Sequence, residues 1–107
     1  MATLSYGAQR QLELALALVG APRLLLLDEP AAGLNDIETG ELARLLTSIC
    51  ASGVTILLVE HNMRLVMGIA DQVIALEAGS IIAAGPPALV QRDQRVIDAY
   101  LGAEPVA

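Results

Sequence analysis

The sequence predicts an α/β fold, a parallel sheet flanked by helices and followed by a C-terminal β-hairpin with short helices. Two short apolar stretches, 24–27 and 54–59, are bounded by turn residues. Such stretches are typical of strands that are buried on both faces of a parallel sheet. Helix-like apolar spacing precedes, separates and follows them, and strands that alternate with helices form one parallel sheet through right-handed crossovers.

The first helix is predicted over 5–20, with Ser5 as its N-cap and Gly20 with Pro22 as its stop. Its buried face is predicted from residues spaced three and four apart: Leu12, Ala15, Leu16 and Val19. Free N–H groups at the start of a helix can bind an anion, although most capped helices bind nothing.

Two carboxylates, Asp28 and Glu29, follow the first predicted strand. Ligands of α/β sheets bind at the carboxyl ends of strands. An apolar strand that ends in an acidic residue resembles a Walker B element, whose Asp serves a Mg²⁺ ion on a nucleotide. Because successive strand side chains point to opposite sides, the two acids cannot face the same partner. An acidic turn that binds nothing fits these residues equally well.

A loop, 31–36, leads into the second helix, for which Asp36 is the predicted N-cap. Glu38 lies in the first turn, where acids are favoured, and Cys50 is predicted to be a small buried hydrophobe. The buried stripe of this helix is predicted to contain Leu42, Leu45, Leu46 and Ile49. The next strand ends in Glu60 and His61, so we expect His61 to join the two acids at one edge of the sheet.

The rest of the chain predicts a third helix, a hairpin and two short helices. Asn62 is a candidate N-cap for the third helix, whose apolar face is Met63, Val66, Met67 and Ala70. Strands at 72–76 and 81–84 flank a tight turn at 77–80. Pro87 suits the first turn of a short helix, and a last helix over 92–100 ends at Gly102.

Composition excludes several classes of function. The net charge is −6, and the six basic residues, all Arg, are scattered, which argues against a phosphate-gripping nucleic-acid surface. No apolar run approaches the roughly 18 residues of a membrane span, and no signal peptide is recognisable. The single cysteine cannot form an internal disulfide, which fits a cytosolic protein.

Four motifs, in this order along the chain, resemble those of the ATP-binding cassette (ABC) ATPases. Residues 4–9, Leu-Ser-Tyr-Gly-Ala-Gln, resemble the signature sequence, and 24–30 resemble the Walker B strand with its catalytic Glu. Residues 33–36 resemble the D-loop, and His61 stands where the switch histidine stands. The resemblance implies a P-loop NTPase-like sheet with a signature helix at 5–20, a Walker B strand at 24–28, a D-loop at 31–36, a switch-histidine strand at 54–61 and a C-terminal hairpin and helices at 72–102.

The subgroup is also indicated. Four further segments, 28–35, 59–63, 65–71 and 99–102, resemble the ATP-binding subunits of branched-chain amino acid importers. Cassettes for urea or for lipopolysaccharide export share part of this pattern. The resemblance therefore implies an ATP-binding and ATP-hydrolysing subunit that powers import, with ATP and Mg²⁺ as cofactors.

The resemblance assigns roles to single residues. Asp28 positions Mg²⁺ through water, Glu29 is the general base for the attacking water, and His61 contacts the γ-phosphate. A lone histidine after a strand is more often a capping or core residue.

The same resemblance implies that other motif residues face a second subunit, as follows. Ser5, Gly7 and Gln9 contact the γ-phosphate of ATP that the second ABC ATPase subunit holds, and Asn35 and Asp36 lie at the dimer interface. Integral membrane permease subunits are the further implied partners. They hold the cytoplasmic ATPase peripherally on the inner face of the cell membrane, with no membrane span of its own and no nucleic acid.

One motif of the family is absent from these 107 residues. No Gly-x-x-x-x-Gly-Lys-Ser/Thr phosphate loop (Walker A) occurs, and the chain has no lysine. The sequence thus resembles the C-terminal half of a cassette. We expect a gap in the sheet, a marginally stable isolated chain and no ATP turnover by the chain alone. A non-catalytic half-cassette with a binding or regulatory role is the alternative, and a DNA-repair ATPase head is disfavoured by the acidic charge.

Overall fold

A computed structural model describes residues 4–101 of the chain. The chain divides into two compact units, one up to Glu60 and one from His61 onward. Within the described residues the strands form two separate two-stranded sheets, one in each unit. The predicted α/β class is confirmed, with a parallel pair of strands in the first unit and a hairpin in the second.

Helices and strands alternate in the first unit: α1 (Tyr6–Leu18), β1 (Leu24–Asp28), α2 (Asp36–Ala51) and β2 (Thr55–Val59). The strands run parallel, with Leu24 opposite Thr55 and Asp28 opposite Val59. Helix α2 is the crossover between them, and it contacts both β2 and α1. The predicted stripe of α2 is confirmed, because Leu42, Leu46 and Ile49 are buried and Leu45 is half-buried.

The prediction that both strands are buried on both faces is wrong for this chain. Alternate residues of β1 and β2 share a side of the sheet, and on one side the apolar residues are more than half exposed: Leu24, Leu26, Leu57 and Val59. We call these four residues the open face. On the other side Leu25 is only 6% exposed. Strands that are apolar at every position must expose one face when helices cover only the other.

Two predictions about helix faces are also wrong. In α1 the buried residue is Leu14, with Arg10 and Leu18 half-buried on the same side, whereas the predicted stripe is exposed. Leucines occur all round this helix, so the apolar spacing could not identify the buried side. In α2, Cys50 is exposed rather than buried.

The second unit contains a helix, a hairpin and short helices: α3 (Met63–Ile69), β3 (Val73–Glu77), β4 (Ser80–Gly85), α4 (Pro87–Val90), α5 (Gln94–Val96) and a π-helical turn (Ile97–Leu101). The two-residue hairpin turn is confirmed, with both central residues, Ala78 and Gly79, at positive φ. The predicted last helix is instead α5 followed by the π-helical turn, with Asp93 as N-cap. Its predicted end, Gly102, lies outside the described residues.

The hairpin and the short helices enclose a small core. Val73, Ala75, Val90 and Val96 are buried, and half-buried residues of α3 and β4 pack against them. Asn62 caps α3 by accepting from the Leu65 N–H, and Pro87 begins α4, as the sequence predicts. The Tyr100 hydroxyl donates to the Leu76 carbonyl. None of the helices in residues 4–101 has the length and apolar character needed to span a membrane.

Candidate functional site

The two carboxylates lie where the parallel pair of strands ends. Asp28 is the last residue of β1 and is exposed, and the Glu29 N–H donates to the Val59 carbonyl at 2.7 Å. Glu29 is half-buried, with φ at +50°. A residue with a Cβ adopts this left-handed conformation at a cost of about 1–2 kcal/mol. Such strain persists where the surrounding contacts enforce it, and it is found most often at functional sites.

The loop after Glu29 is held by β2 as well as by its own turns. The Ala32 N–H donates to the Glu29 carbonyl and the Leu34 N–H to the Ala31 carbonyl, each at 3.1 Å. In addition, Oε2 of Glu60 accepts from the Ala31 N–H at 3.1 Å. Glu60 follows β2 directly, so its carboxylate reaches across the edge of the sheet and fixes the loop beside the two acids.

The start of α1 has the predicted cap. The Ser5 side chain accepts from the Ala8 N–H at 3.1 Å, and the Gln9 side chain donates back to the Leu4 carbonyl at 3.0 Å. The N–H of Gly7, however, donates to Oε2 of Glu38 at 2.9 Å. Of the groups that could meet an anion here, the Ser5 hydroxyl keeps its proton for donation, whereas the Gly7 N–H is already satisfied within the chain.

Asn35, not Asp36, is the N-cap of α2, so the predicted cap is wrong by one residue. The Asn35 side chain accepts from the Glu38 N–H at 2.8 Å, and Oε1 of Glu38 accepts from the Asn35 N–H at 3.2 Å. This reciprocal pair is a capping box. Asp36 is then the first helical residue, exposed and favourably placed for the helix dipole.

Arg10 of α1 also binds the loop that follows Glu29. Its Nε donates to the Pro30 carbonyl at 2.9 Å, and its guanidinium also reaches the Ala32 carbonyl at 3.5 Å and Glu13 at 2.9 Å. These bonds turn the Arg10 side of α1 inward, together with Leu14. They supply the physical reason why the predicted apolar stripe of α1 lies outside.

The Tyr6 ring lies beside Gly33. A Cβ built on Gly33 would stand 3.7 Å from the ring, and Gly33 has φ of +81°, which glycine adopts without strain. The start of α1 therefore contacts the loop and α2 at three places: Tyr6 beside Gly33, Gly7 on Glu38 and Arg10 on the loop carbonyls.

Comparison with known proteins identifies the family. Residues 1–32 match the ABC transporter family, and residues 80–106 match the branched-chain amino acid ATP-binding cassette transporter family. The chain is 46% identical over 101 residues to the high-affinity branched-chain amino acid transport ATP-binding protein BraF of Pseudomonas aeruginosa. The aligned residues cover 94% of this chain and 40% of BraF. The LivG protein of Escherichia coli K12, with the same description, is 48% identical over 92% of this chain and 39% of its own length.

The chain belongs to the ATP-binding cassette family. A solved ATP-binding cassette of an ABC transporter, MJ1267 in its ADP conformation, superimposes with a TM-score of 0.83 and 29% identity over 92% of this chain and 41% of that one. The lipopolysaccharide export ATP-binding protein LptB of Acidithiobacillus ferridurans is less similar, at 39% identity over 94% of this chain and 42% of its length. The chain thus spans about 40% of the length of the relatives it matches.

The structure brings some of the predicted site residues of this cassette chain together. Asp28 and Glu29 lie at the carboxyl edge of the parallel pair, and Gly7, two residues after the cap Ser5, is linked through Glu38 to Asn35. His61 opens the second unit with an exposed side chain. Its meeting with the two acids stays a prediction.

Three residues of this site were not found from the sequence: Arg10, Glu38 as a bridge, and Glu60. In the sequence Arg10 is only one of six scattered arginines, and the position of Glu38 indicates only the first turn of a helix. Glu60 had a usable signal, since it directly follows β2 at the edge where ligands of parallel sheets bind.

The donor set is compatible with one weakly held Mg²⁺ ion. Within the described residues no three potential ligand side chains come together. Mg²⁺ needs no such cluster, because it keeps several waters and is bound by one or two carboxylates together with substrate phosphates. The exposed carboxylate of Asp28 fits that mode of binding.

Proposed function

We propose that this chain provides the signature, Walker B and D-loop portion of the ATP-hydrolysing subunit of an ABC importer for branched-chain amino acids. The observation that carries the proposal is the position of Asp28 and Glu29 at the carboxyl edge of a parallel pair, beside a loop tied to the start of α1. The similarity of two separate parts of the chain to transporter families supports it.

Asp28 and Glu29 divide the chemistry on the chain's own side of the site. Asp28 would hold Mg²⁺ through water, and the ion would neutralise charge on the β- and γ-phosphates of ATP. Glu29 accepts the proton of the attacking water and so acts as the general base. The loop contacts from Glu60 and Val59 fix the backbone on both sides of Glu29, which keeps that carboxylate oriented. His61 donates to the γ-phosphate.

The signature segment serves the nucleotide of a second cassette. Ser5, Gly7 and Gln9 face the γ-phosphate of ATP that the other subunit holds, and the Ser5 hydroxyl has the proton to donate. Asn35 and Asp36, both exposed, lie in the same dimer interface. The dimer acts on membrane permease subunits, so the protein is cytoplasmic and peripheral to the inner face of the membrane.

The phosphate loop must come from outside these 107 residues, because the chain contains no lysine. The open face supports this requirement. Four apolar side chains on two paired strands are more than half exposed there, and relatives of this chain have more than twice its length with which to cover them. We propose that the phosphate-loop portion of a cassette packs on the open face.

The test is an ATPase assay of the chain with a polypeptide that contains the phosphate-loop portion of a branched-chain amino acid cassette. We expect Mg²⁺-dependent hydrolysis from the mixture, none from either part alone, and a loss of about 100-fold or more in Glu29→Gln, since a general base contributes about 10²–10⁴-fold. Glu41→Gln, which neutralises an exposed acid of α2, is the matched control. Hydrolysis that survives in Glu29→Gln would refute the assignment of the base.

The lack of lysine in these 107 residues is compatible with a second function, that of a non-catalytic half-cassette. Such a chain would present its signature face to the ATP of a complete cassette and hydrolyse nothing itself. The same assay, repeated with a complete cassette in place of the phosphate-loop portion, separates the two functions. Under the second, added chain alters the rate of a complete cassette, but Glu29→Gln has the same effect as the unmodified chain.

A further inference from the structure

The Glu38 carboxylate is bonded to the starts of two helices at once. Oε2 accepts from the Gly7 N–H at 2.9 Å, and Oε1 accepts from the Asn35 N–H at 3.2 Å. Gly7 and Asn35 lie in the signature segment and the D-loop of the cassette. One half-buried side chain therefore joins the two segments that the proposed function places against a partner.

The contact with Glu38 explains why a glycine occupies position 7. A Cβ at this position would stand 2.5 Å from Oε2 of Glu38 and 3.1 Å from its Cγ and Cδ. Gly7 is inside α1, so no unusual backbone conformation requires a glycine here. Glycine is therefore needed here because it leaves space for the Glu38 carboxylate.

The other contacts between these segments do not replace this bond. Arg10 holds the loop carbonyls of Pro30 and Ala32 one turn further along α1, and the Tyr6 ring only lies against Gly33. Glu38 is the residue whose bonds fix the backbone at the amino end of α1, next to Ser5, against the backbone at the amino end of α2.

We propose that Glu38 is a positioning residue, which sets the Ser5–Gly7 segment relative to Asn35 so that both meet the nucleotide and surface of a second cassette together. The inference rests on the proposed function, in which Ser5 faces ATP held in trans. Glu38 touches no nucleotide in this account; it acts through the Gly7 and Asn35 amides.

Glu38→Gln is the informative variant, because it changes neither size nor shape. A carboxylate has two acceptor oxygens, whereas a glutamine has one acceptor oxygen and an NH₂ group that donates. The variant can accept from Gly7 or from Asn35 but not from both, and its NH₂ group faces the N–H that remains. Glu41→Gln removes the same charge from an exposed position of the same helix and is the matched control.

The experiment mixes the full chain with a complete cassette subunit loaded with an ATP analogue that has a photoreactive group on its γ-phosphate. We expect crosslinks from the partner's nucleotide to residues 4–9 of the wild-type chain and of Glu41→Gln. In Glu38→Gln the yield should fall about fivefold, the factor that corresponds to one lost hydrogen bond. Gly7→Ala should lose a similar amount, and the double variant should lose no more than either single one.

Amide hydrogen exchange on the same samples, read at Gly7 and Asn35, separates positioning from unfolding. We expect faster exchange at one or both of these amides in Glu38→Gln, with unchanged exchange in the interior of α2. Equal or higher crosslinking in Glu38→Gln than in wild type would overturn the inference while leaving the proposed function intact. No crosslink from the wild-type chain would overturn the proposed function, and the inference with it.

Discussion

The two units of this chain differ in how completely their two-stranded sheets are covered by other elements. Each contains a two-stranded sheet, but only the second is closed by elements that directly follow it in sequence: α4 and α5 pack on the hairpin, and Val90 and Val96 are each 1% exposed. In the first unit helices cover one side of β1 and β2, and the open face has no cover among the described residues. The proposed site residues, except His61, lie in this less complete unit.

The comparison suggests that the first unit depends on more chain than the second. A hairpin closes locally, since its strands adjoin in sequence and a two-residue turn joins them. A parallel pair needs a crossover, and a sheet of this type is normally covered on both faces. The apolar residues of β1 and β2 therefore fit a larger sheet than the one these residues build.

The largest effect is expected from polar substitution on the open face. Leu26→Asp with Leu57→Asp should abolish ATP hydrolysis by the mixture of the chain and the phosphate-loop portion, because two charges would be buried in that contact. The isolated double variant should lose only about 1–2 kcal/mol of unfolding free energy, because both side chains are more than half exposed and the cost comes mainly from two like charges at directly opposite positions of the paired strands. Full activity of the double variant would break the comparison, because the face would then need no cover.

Truncation of a core residue in the first unit tests how the covered part of that unit differs from the open face. Leu46→Ala should lower the free energy of unfolding by about 2–5 kcal/mol, because Leu46 is 1% exposed and its loss leaves a cavity. Leu26→Ala is the matched leucine on the open face and should cost far less in the isolated chain. Chemical denaturation of the two variants measures the difference, and equal losses would show that the open face is covered in the isolated chain.

Sequence reasoning worked best where one local rule decides the structure. Ser5 and Asn62 are caps, and Pro87 begins a helix, because each is settled by a few neighbouring residues. It failed where distant contacts decide. The buried side of α1 depends on Arg10 meeting the carbonyls of a loop twenty residues away, and the exposure of Leu26 depends on which elements cover the sheet. The bridge from Glu38 to Gly7 has no sequence signal, because it joins residues 31 positions apart.

Alanine substitutions at two glycines, Gly79 and Gly68, test the local backbone geometry of the second unit. Gly79 has φ of +81° in the hairpin turn, so Gly79→Ala should destabilise the chain by about 1 kcal/mol. Gly68 lies in α3 with no atom within 4 Å of an added Cβ, so Gly68→Ala should stabilise it by about 0.5–1 kcal/mol. Thermal melts of both variants check the opposite signs, and a Gly79→Ala variant as stable as wild type or more stable would contradict the hairpin geometry.

The smallest effect concerns Asp93, the N-cap of α5. Hydrogen bonds from the Arg95 side chain and backbone lower the pKa of Asp93 below its usual value. A lowered pKa in the folded state means that the stabilisation is present above the unfolded pKa of about 3.9 and is lost as the pH falls through the folded value. Asp93→Asn should therefore melt slightly below wild type near neutral pH, and the gap should close in strong acid. A gap that persists there would refute the ionic contribution.

Amide hydrogen exchange along both sheets, with and without the phosphate-loop portion of a cassette, tests the central claim most directly. The account predicts that in the isolated chain β3 and β4 exchange more slowly than β1 and β2. Added phosphate-loop polypeptide should then slow exchange in β1 and β2 while leaving β3 and β4 unchanged. Equal protection of the two sheets in the isolated chain, with no response of β1 and β2 to the added polypeptide, would contradict it.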